Sequence, residues 1–404
     1  MPIKAKIEIK GNSSADNLKI IYLSNIRLTD RVAHTWFIDD LLEKGIDVEF
    51  WDLIPFMREY HREFNEITPT YLKELNSIIE LDELITNQVK EVVYVVLFPL
   101  NNSSKNVFIK LSKLKQRIVY IDWGAMPLSV ASTQPTKIKR FVGAFRSLNY
   151  FKLVLHSRYI LFLQKLKIIK KFDLVFASGS FLVEVPRHAE KVVSIPFTDY
   201  IEYKKAEKNS KIETSRFAVF LDINLPFQTD LALAGMTPID PEIYYSEINS
   251  FFDMIEVNFN VEVVIAAHPK TSLNLQYFAN RIVKRMKTAE LVRNAEFVIS
   301  HQSTSISYAV LNYKPIMFIY TPTMDLLYKS SAVFEIKNIA QYLGSDAINT
   351  NSSLDSGLIL LPQVNNTIYE NYIERYIASK DSQQRSPSDI FLFEIINLIK
   401  CVEI

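Results

Sequence analysis

Glycine is scarce in this chain, with eight in 404 residues. Phosphate cradles of the GxxxxGK[ST] or GxGxxG kind need several glycines close together so that backbone can close on the phosphate, and neither pattern occurs. There is also no DxD triplet to hold a metal–nucleotide complex. No metal or organic cofactor is therefore expected, and any nucleotide must be held without those devices. Cysteine is almost absent: Cys401 stands alone, which rules out an internal disulfide framework and fits a reducing compartment. No window of 18 uncharged apolar residues occurs, so a membrane-spanning helix is not expected. The first residues, MPIKAKIEIKGNSSADN, are polar and mixed in charge, unlike a secretory leader. The expected address is the cytoplasm or its membrane face.

A strong charge of either sign is missing as well. The net charge of +1 gives no field that would gather nucleic acid over the whole surface, so no nucleic-acid partner is expected. Hydrophobic residues at 48% and charged residues at 23% fit a globular protein, and the length suits two ordinary domains. Charge is uneven locally, because Trp123–Phe172 contains no Asp or Glu. Within it, 137–171 carries Lys and Arg interleaved with Phe, Leu, Ile and Tyr. Such a segment either lies on an anionic bilayer surface or forms the solvated basic face of a core helix.

What the chain does have is alternation. KIIYLS (Lys19–Ser24) reads as a strand, apolar residues then recur at helical spacing over Asp30–Lys44, and VEFWDL (Val48–Leu53) is a second strand, followed by a helical region to about Val89. VVYVVLFPL (Val92–Leu100) and RIVYID (Arg117–Asp122) are strands with a helix between them, and DLVFASG (Asp173–Gly179) and KVVSIPF (Lys191–Phe197) close this half. Alternation of this kind predicts an α/β fold with parallel sheets covered on both faces. It assigns 1–201 to a first domain, and the charged stretch EYKKAEKNSKIE points to a linker at 202–215.

A second α/β domain is expected over 216–380. It opens on RFAVFLD (Arg216–Asp222), followed by a helix over Asp240–Asn258 with Pro241 in its first turn. Its centre is Val261–Thr321: strand Val261–Ala267, strand Phe297–Ser300, a helix over Ser303–Asn312, and a strand in KPIMFIYT. A helix around Met324–Leu343, a strand-like run at Leu358–Leu361 and a helix around Ile368–Ser379 follow. SKDSQQRSP reads as disordered, and in 381–404 the helix Pro387–Lys400 is expected to return to the first domain.

Ligands of open parallel sheets bind outside the carboxyl ends of the strands. Two polar clusters of the second domain fall there. In His268-Pro269-Lys270 the proline ends the strand and presents the imidazole, which can hydrogen-bond a phosphate or protonate a leaving group. An isolated histidine of this kind is as readily structural. In His301-Gln302-Ser303-Thr304-Ser305 the hydroxyls precede a helix, where one would serve as a cap and three exceed that need, so Ser303, Thr304 and Ser305 suit an anion.

In the first domain Asp122 closes RIVYI ahead of Trp123-Gly124, where a carboxylate can either take a proton from an acceptor hydroxyl or cap a turn. Asn25, Arg27, Asp30 and His34 form a second group after the first strand. There Asp30 is read as a helix N-cap or reserve base, Arg27 as a carboxylate or phosphate contact, and His34 as a partly buried helix residue. Asp199-Tyr200 and Asp222 border the cleft or cap turns, Thr288 after Lys287 reads as a cap, and Asp39-Asp40 as a solvated mid-helix face.

The HP dipeptide paired with a downstream Ser/Thr cluster and YAVLNYKPIMFIY resembles bacterial sialyltransferases, polysialyltransferases and Kdo transferases of GT-B architecture, with two facing Rossmann-like domains. The likeness covers about Arg216–Thr321 in motif and the first domain in architecture alone. It implies an inverting, metal-independent transfer of an acidic sugar from a CMP-activated donor to a surface glycan or lipid-linked glycan. His268 and Ser303–Ser305 would then lie on the donor phosphate. The family's acidic-acidic-glycine motif has its nearest match in Asp122-Trp123-Gly124, with a tryptophan in place of the second acid. The same clusters also resemble polyol-phosphate transferases of the teichoic-acid type, and the missing acid leaves open a glycan-binding protein without turnover.

Overall fold

The computed structural model describes residues 18–57, 65–123, 126–127, 158–184, 188–209, 215–228, 237–268, 275–351 and 359–400. They form two parallel sheets. The first takes β1 (Leu18–Ser24), β2 (Asp47–Asp52), β3 (Leu72–Glu74), β4 (Glu91–Val96), β5 (Arg117–Asp122), β6 (Phe172–Ser178) and β7 (Ala189–Ile195) in the order β3-β2-β1-β4-β5-β6-β7. The second takes β8 (Phe217–Leu221), β9 (Glu262–Ala267), β10 (Val283–Arg285), β11 (Val298–Ser300), β12 (Ile316–Tyr320) and β13 (Ala347–Asn349) in the order β10-β9-β8-β11-β12-β13. The α/β class and the two Rossmann-like domains are those expected from the sequence.

Both faces of the first sheet are covered, and the pleat assigns side chains to them. In β1, Leu18, Ile20 and Tyr22 face one apolar cluster, while Ile21 and Leu23 face another. In β4, Val93 and Val95 go to the first cluster, and Val92, Tyr94 and Val96 to the second. A strand buried on both sides needs such an unbroken apolar run. The helix Pro387–Lys400 returns to this sheet, with Ile390, Phe391, Leu392, Ile395 and Ile399 completing the first cluster. The second sheet is enclosed in one continuous core built around Phe220, Phe252, Ile265, Ile299 and Phe318.

Several elements depart from expectation. Asp30–Lys44 is two helices, Asp30–Thr35 and Ile38–Glu43, broken at Phe37, whose φ is 64°. Asp39 and Asp40 consequently sit in the first turn of the second helix rather than mid-helix. Met324–Leu343 is likewise two helices, Pro322–Tyr328 and Ala332–Tyr342. The edge strands β3, β10 and β13, three residues each, were not foreseen, and no strand forms at 359–361.

Most of the expected linker is the helix Thr198–Asn209. Its charges form pairs one turn apart, Lys204 with Glu207 at 3.1 Å and Lys205 with Glu202 at 3.0 Å, which suits a helical connection. The serines of SKDSQQRSP are ordered: Ser379 and Ser382 are buried, and Ser379 Oγ donates to Ser194 Oγ of β7 at 2.8 Å.

Candidate functional site

The order of each parallel sheet reverses once, and the crevice beyond that reversal is where such sheets bind ligands. In the second sheet the reversal falls between β8 and β11, and in the first between β1 and β4. Ser303–Ser305 follow β11 directly. His268 follows β9, one strand beyond β8, so the two polar clusters of the second domain flank β8 at one end of the sheet. His268 is half-buried, while Pro269 and Lys270 lie outside the described residues.

The hydroxyl cluster forms a turn rather than helix. Ser303 Oγ accepts from the backbone N–H of Ser305 at 3.2 Å, Ser303 and Ser305 are half-buried and Thr304 is exposed. The helix begins only at Ile306 and runs to Leu311. At the end of β8, Asp222 is buried and accepts from the Asn224 N–H at 2.8 Å, the capped turn being one of its two expected roles. Beside this turn, Ser300 Oγ and Asn224 Oδ1 are buried without a hydrogen-bond partner among the described residues.

His301, which begins the cluster in sequence, points the other way. It is wholly buried, with Nδ1 2.7 Å from the Ile319 carbonyl and Nε2 2.9 Å from the Tyr244 hydroxyl. A carbonyl can only accept, so Nδ1 carries the proton and Nε2 accepts from Tyr244. Burial pulls the imidazole pKa down to about 4, which keeps it neutral. Its role is to tie β11 and β12 to the helix Pro241–Phe259.

On the first domain Asp122 is half-buried at the carboxyl end of β5. Gly124 lies outside the described residues. Trp123 is packed between Trp36, Phe37 and Phe197 with ring centroids 5.8, 6.1 and 6.2 Å away. Asn25 and Arg27 lie half-buried on the loop after β1, at the reversal of the first sheet, and Arg27 pairs with Glu66 at 3.0 Å. The N-cap of the following helix is Thr29, whose Oγ1 accepts from the Val32 N–H, so Asp30 is an exposed first-turn residue instead of the cap. His34 is exposed rather than partly buried, with Nε2 2.8 Å from Lys205 Nζ. Thr288 likewise lies inside its helix, Thr288–Asn294, with Lys287 at the cap position.

The carboxyl ends of the two sheets meet. A cavity of about 120 Å³ is lined by Met126 and Pro127 just beyond β5, by Gln302 just beyond β11, and by Phe334, Glu335, Asn338 and Ile339 of the helix Ala332–Tyr342. A second junction forms around Asp199, in the first turn of Thr198–Asn209. Ser307 Oγ donates to Asp199 Oδ2, and the Tyr308 hydroxyl also bonds this carboxylate. Although part of the residue reaches the surface, its carboxylate is enclosed. Burial raises its pKa to about 6 against the lowering effect of Ser307, Tyr308 and Arg31, while Glu202 adds to the rise. Sequence reasoning gave Asp199 little weight, since a lone Asp after a strand looks like any turn residue. Its partner Ser307 lies 108 positions away.

No family model matches the sequence, and no curated protein matches it. Among solved structures the chain is similar to S. aureus MnaA in its UDP co-structure, at 13% identity and TM-score 0.46, covering 95% of this chain and 98% of that one. It is similar also to the wall teichoic acid polymerase TagF soaked with CDPG, at 11% identity and TM-score 0.49, covering 96% and 90%. The UDP-GlcNAc 2-epimerase of Methanocaldococcus jannaschii shows 16% identity and TM-score 0.44, covering 94% and 99%. Likenesses at these identities and scores assign no activity to this chain.

Proposed function

We propose that this chain is an inverting, metal-independent glycosyltransferase that moves an acidic sugar of the Kdo or nonulosonic type from a CMP-activated donor to a surface glycan or lipid-linked glycan at the cytoplasmic face. The observation that supports the reading is the meeting of the carboxyl ends of two parallel sheets, with His268 and Ser303–Ser305 flanking β8 on one side and Asp122 ending β5 on the other. In this scheme His268 and the hydroxyls hold the donor phosphate as CMP departs. Asp122 takes the proton from the attacking hydroxyl, with Asp30 in reserve, and Asn25 and Arg27 contact the acceptor. Direct displacement needs both a stabilised leaving group and a base on the acceptor side.

The test is CMP release by purified protein given CMP-Kdo, CMP-nonulosonates or CDP-glycerol, with and without glycan acceptors. Release from a CMP-sugar that depends on acceptor is expected, with Asp122→Ala and His268→Ala each about 100-fold slower or worse. Consumption of CDP-glycerol alone would make the chain a polyol-phosphate transferase, and binding of a glycan with no turnover of any donor would make it a glycan-binding protein. Full activity in Asp122→Ala would move the base elsewhere.

A further inference from the structure

Helical residues 158–165 carry apolar side chains on two faces. Ile160 and Leu163 are buried and pack with Val107, Phe108 and Leu111 under the first sheet. Tyr159, Phe162 and Leu166, at positions i, i+3 and i+7, form a second stripe that faces outward, and Phe162 and Leu166 are 54% and 52% exposed. Leu161 and Ile168 extend it. A helix needs one apolar stripe to join a core, so a second stripe on its solvent side requires its own explanation.

The charge around the stripe supplies one. Among the described residues from Val92 to Phe172 there are ten Lys and Arg against a single acid, Asp122, in a protein whose net charge is +1. Several of these cations are neutralised from outside the stretch: Lys110 by Asp82, Arg117 by Glu91, Lys170 by Asp173 and Lys171 by Glu190. The cations nearest the stripe are not, for Arg158, Lys165 and Lys167 have no ion pair among the described residues. Lys105 lies over the Tyr159 ring at 5.3 Å. No helix among the described residues is long and apolar enough to cross a membrane.

We infer that this face of the first domain docks on an anionic phospholipid bilayer, with Tyr159, Phe162 and Leu166 entering the headgroup boundary and Arg158, Lys165 and Lys167 meeting lipid phosphates. Neither signal holds a protein on a membrane firmly alone, and here the two coincide on one element. A second protein partner would need matching acids at the rim, whereas an acidic lipid surface presents them at any register. The inference does not rest on the identity of the donor, so it stands or falls apart from the proposed reaction.

The test is flotation of the full chain with phosphatidylcholine vesicles with and without phosphatidylglycerol. Binding is expected to the anionic vesicles alone and to weaken with salt. Lys165→Gln with Lys167→Gln should weaken it about fivefold per cation lost, and Phe162→Ser with Leu166→Ser should weaken it about tenfold or more. Both pairs should keep the unfolding midpoint of the parent, because these side chains face solvent. Failure to float with anionic vesicles, salt-independent binding to neutral vesicles, or indifference to both pairs would overturn the inference. So would a concentration-dependent dimer that Phe162→Ser abolishes while vesicle binding is unchanged, since the stripe would then be covered by a second copy.

Discussion

Two buried titratable residues near the proposed donor site are held in opposite senses. Asp199 has a folded pKa of about 6, above its ordinary 3.8. The fold therefore favours its protonated form, an advantage complete below about pH 4 and lost as pH rises through about 6. At pH 7.5 the ionised carboxylate costs up to about 3 kcal/mol. His301 has a folded pKa of about 4, below its ordinary 6.5. Its contribution is complete above about pH 6.5 and lost, by about 3 kcal/mol, as pH falls through 4. Acidification thus relieves one residue while it burdens the other. Asp199→Asn keeps the shape and an acceptor for Ser307 while removing the charge. It is expected to raise the unfolding midpoint at pH 7.5, to give no gain at pH 4, and to leave a steeper loss of stability on acidification than the parent shows. Urea unfolding across that range decides it: an equal effect at both pH values would mean that Asp199 is not the group whose ionisation opposes the fold.

Among the elements, the C-terminal helix shows what the sequence can and cannot disclose. Pro387–Lys400 was legible as a helix, and its return to the first domain followed from the expected two-domain architecture. Its partners were not legible, because they come from β6 and from the helix Ile38–Glu43, whose own start depends on a break at Phe37. Phe37 takes a left-handed conformation that a bulky residue rarely adopts, held by Trp123 and by Phe391 at 5.5 Å. Tertiary packing overrode the uninterrupted helical spacing of Asp30–Lys44. The edge strands escaped for a different reason: sequences such as LKE and VKR are too short and too charged to carry a period. In the candidate site the sequence located the polar ends of β9 and β11, yet it could not tell that His301 turns inward while Ser303 stays at the turn. Adjacent residues around a strand end can face opposite ways. Phe391 is wholly buried and also packs against Phe176, with ring centroids 5.0 Å apart and the planes tilted by 39°. Phe391→Ala is expected to cost about 3–5 kcal/mol in urea unfolding, whereas a loss below about 1 kcal/mol would mean that the helix is not part of the first domain's core.

At the scale of the molecule, the two domains are joined by the helix Thr198–Asn209 and by the chain that crosses back through Ile373–Ile377. The returning chain lies against the ends of β6 and β7: Ser180 N–H donates to the Glu374 carbonyl at 2.9 Å and Phe197 N–H to the Ile377 carbonyl at 2.7 Å. Gly179 makes this approach possible. It has a φ of +65°, and a Cβ there would stand 2.3 Å from the Arg375 carbonyl oxygen. Gly45 provides the control, with a φ of +75° and nothing within 4 Å of its Cβ position. Alanine at Gly45 therefore suffers only the left-handed conformation, about 1–2 kcal/mol. At Gly179 it must also push the two domains apart, since the obstructing atom is backbone and cannot rotate away. Gly179→Ala is expected to lower the unfolding midpoint further than Gly45→Ala and to hasten protease cleavage near Thr198–Asn209, whereas Gly45→Ala leaves that cleavage rate unchanged. Equal behaviour of the two variants would mean that the seam tolerates displacement, and that the facing ends of β5 and β11 are not held in register by it.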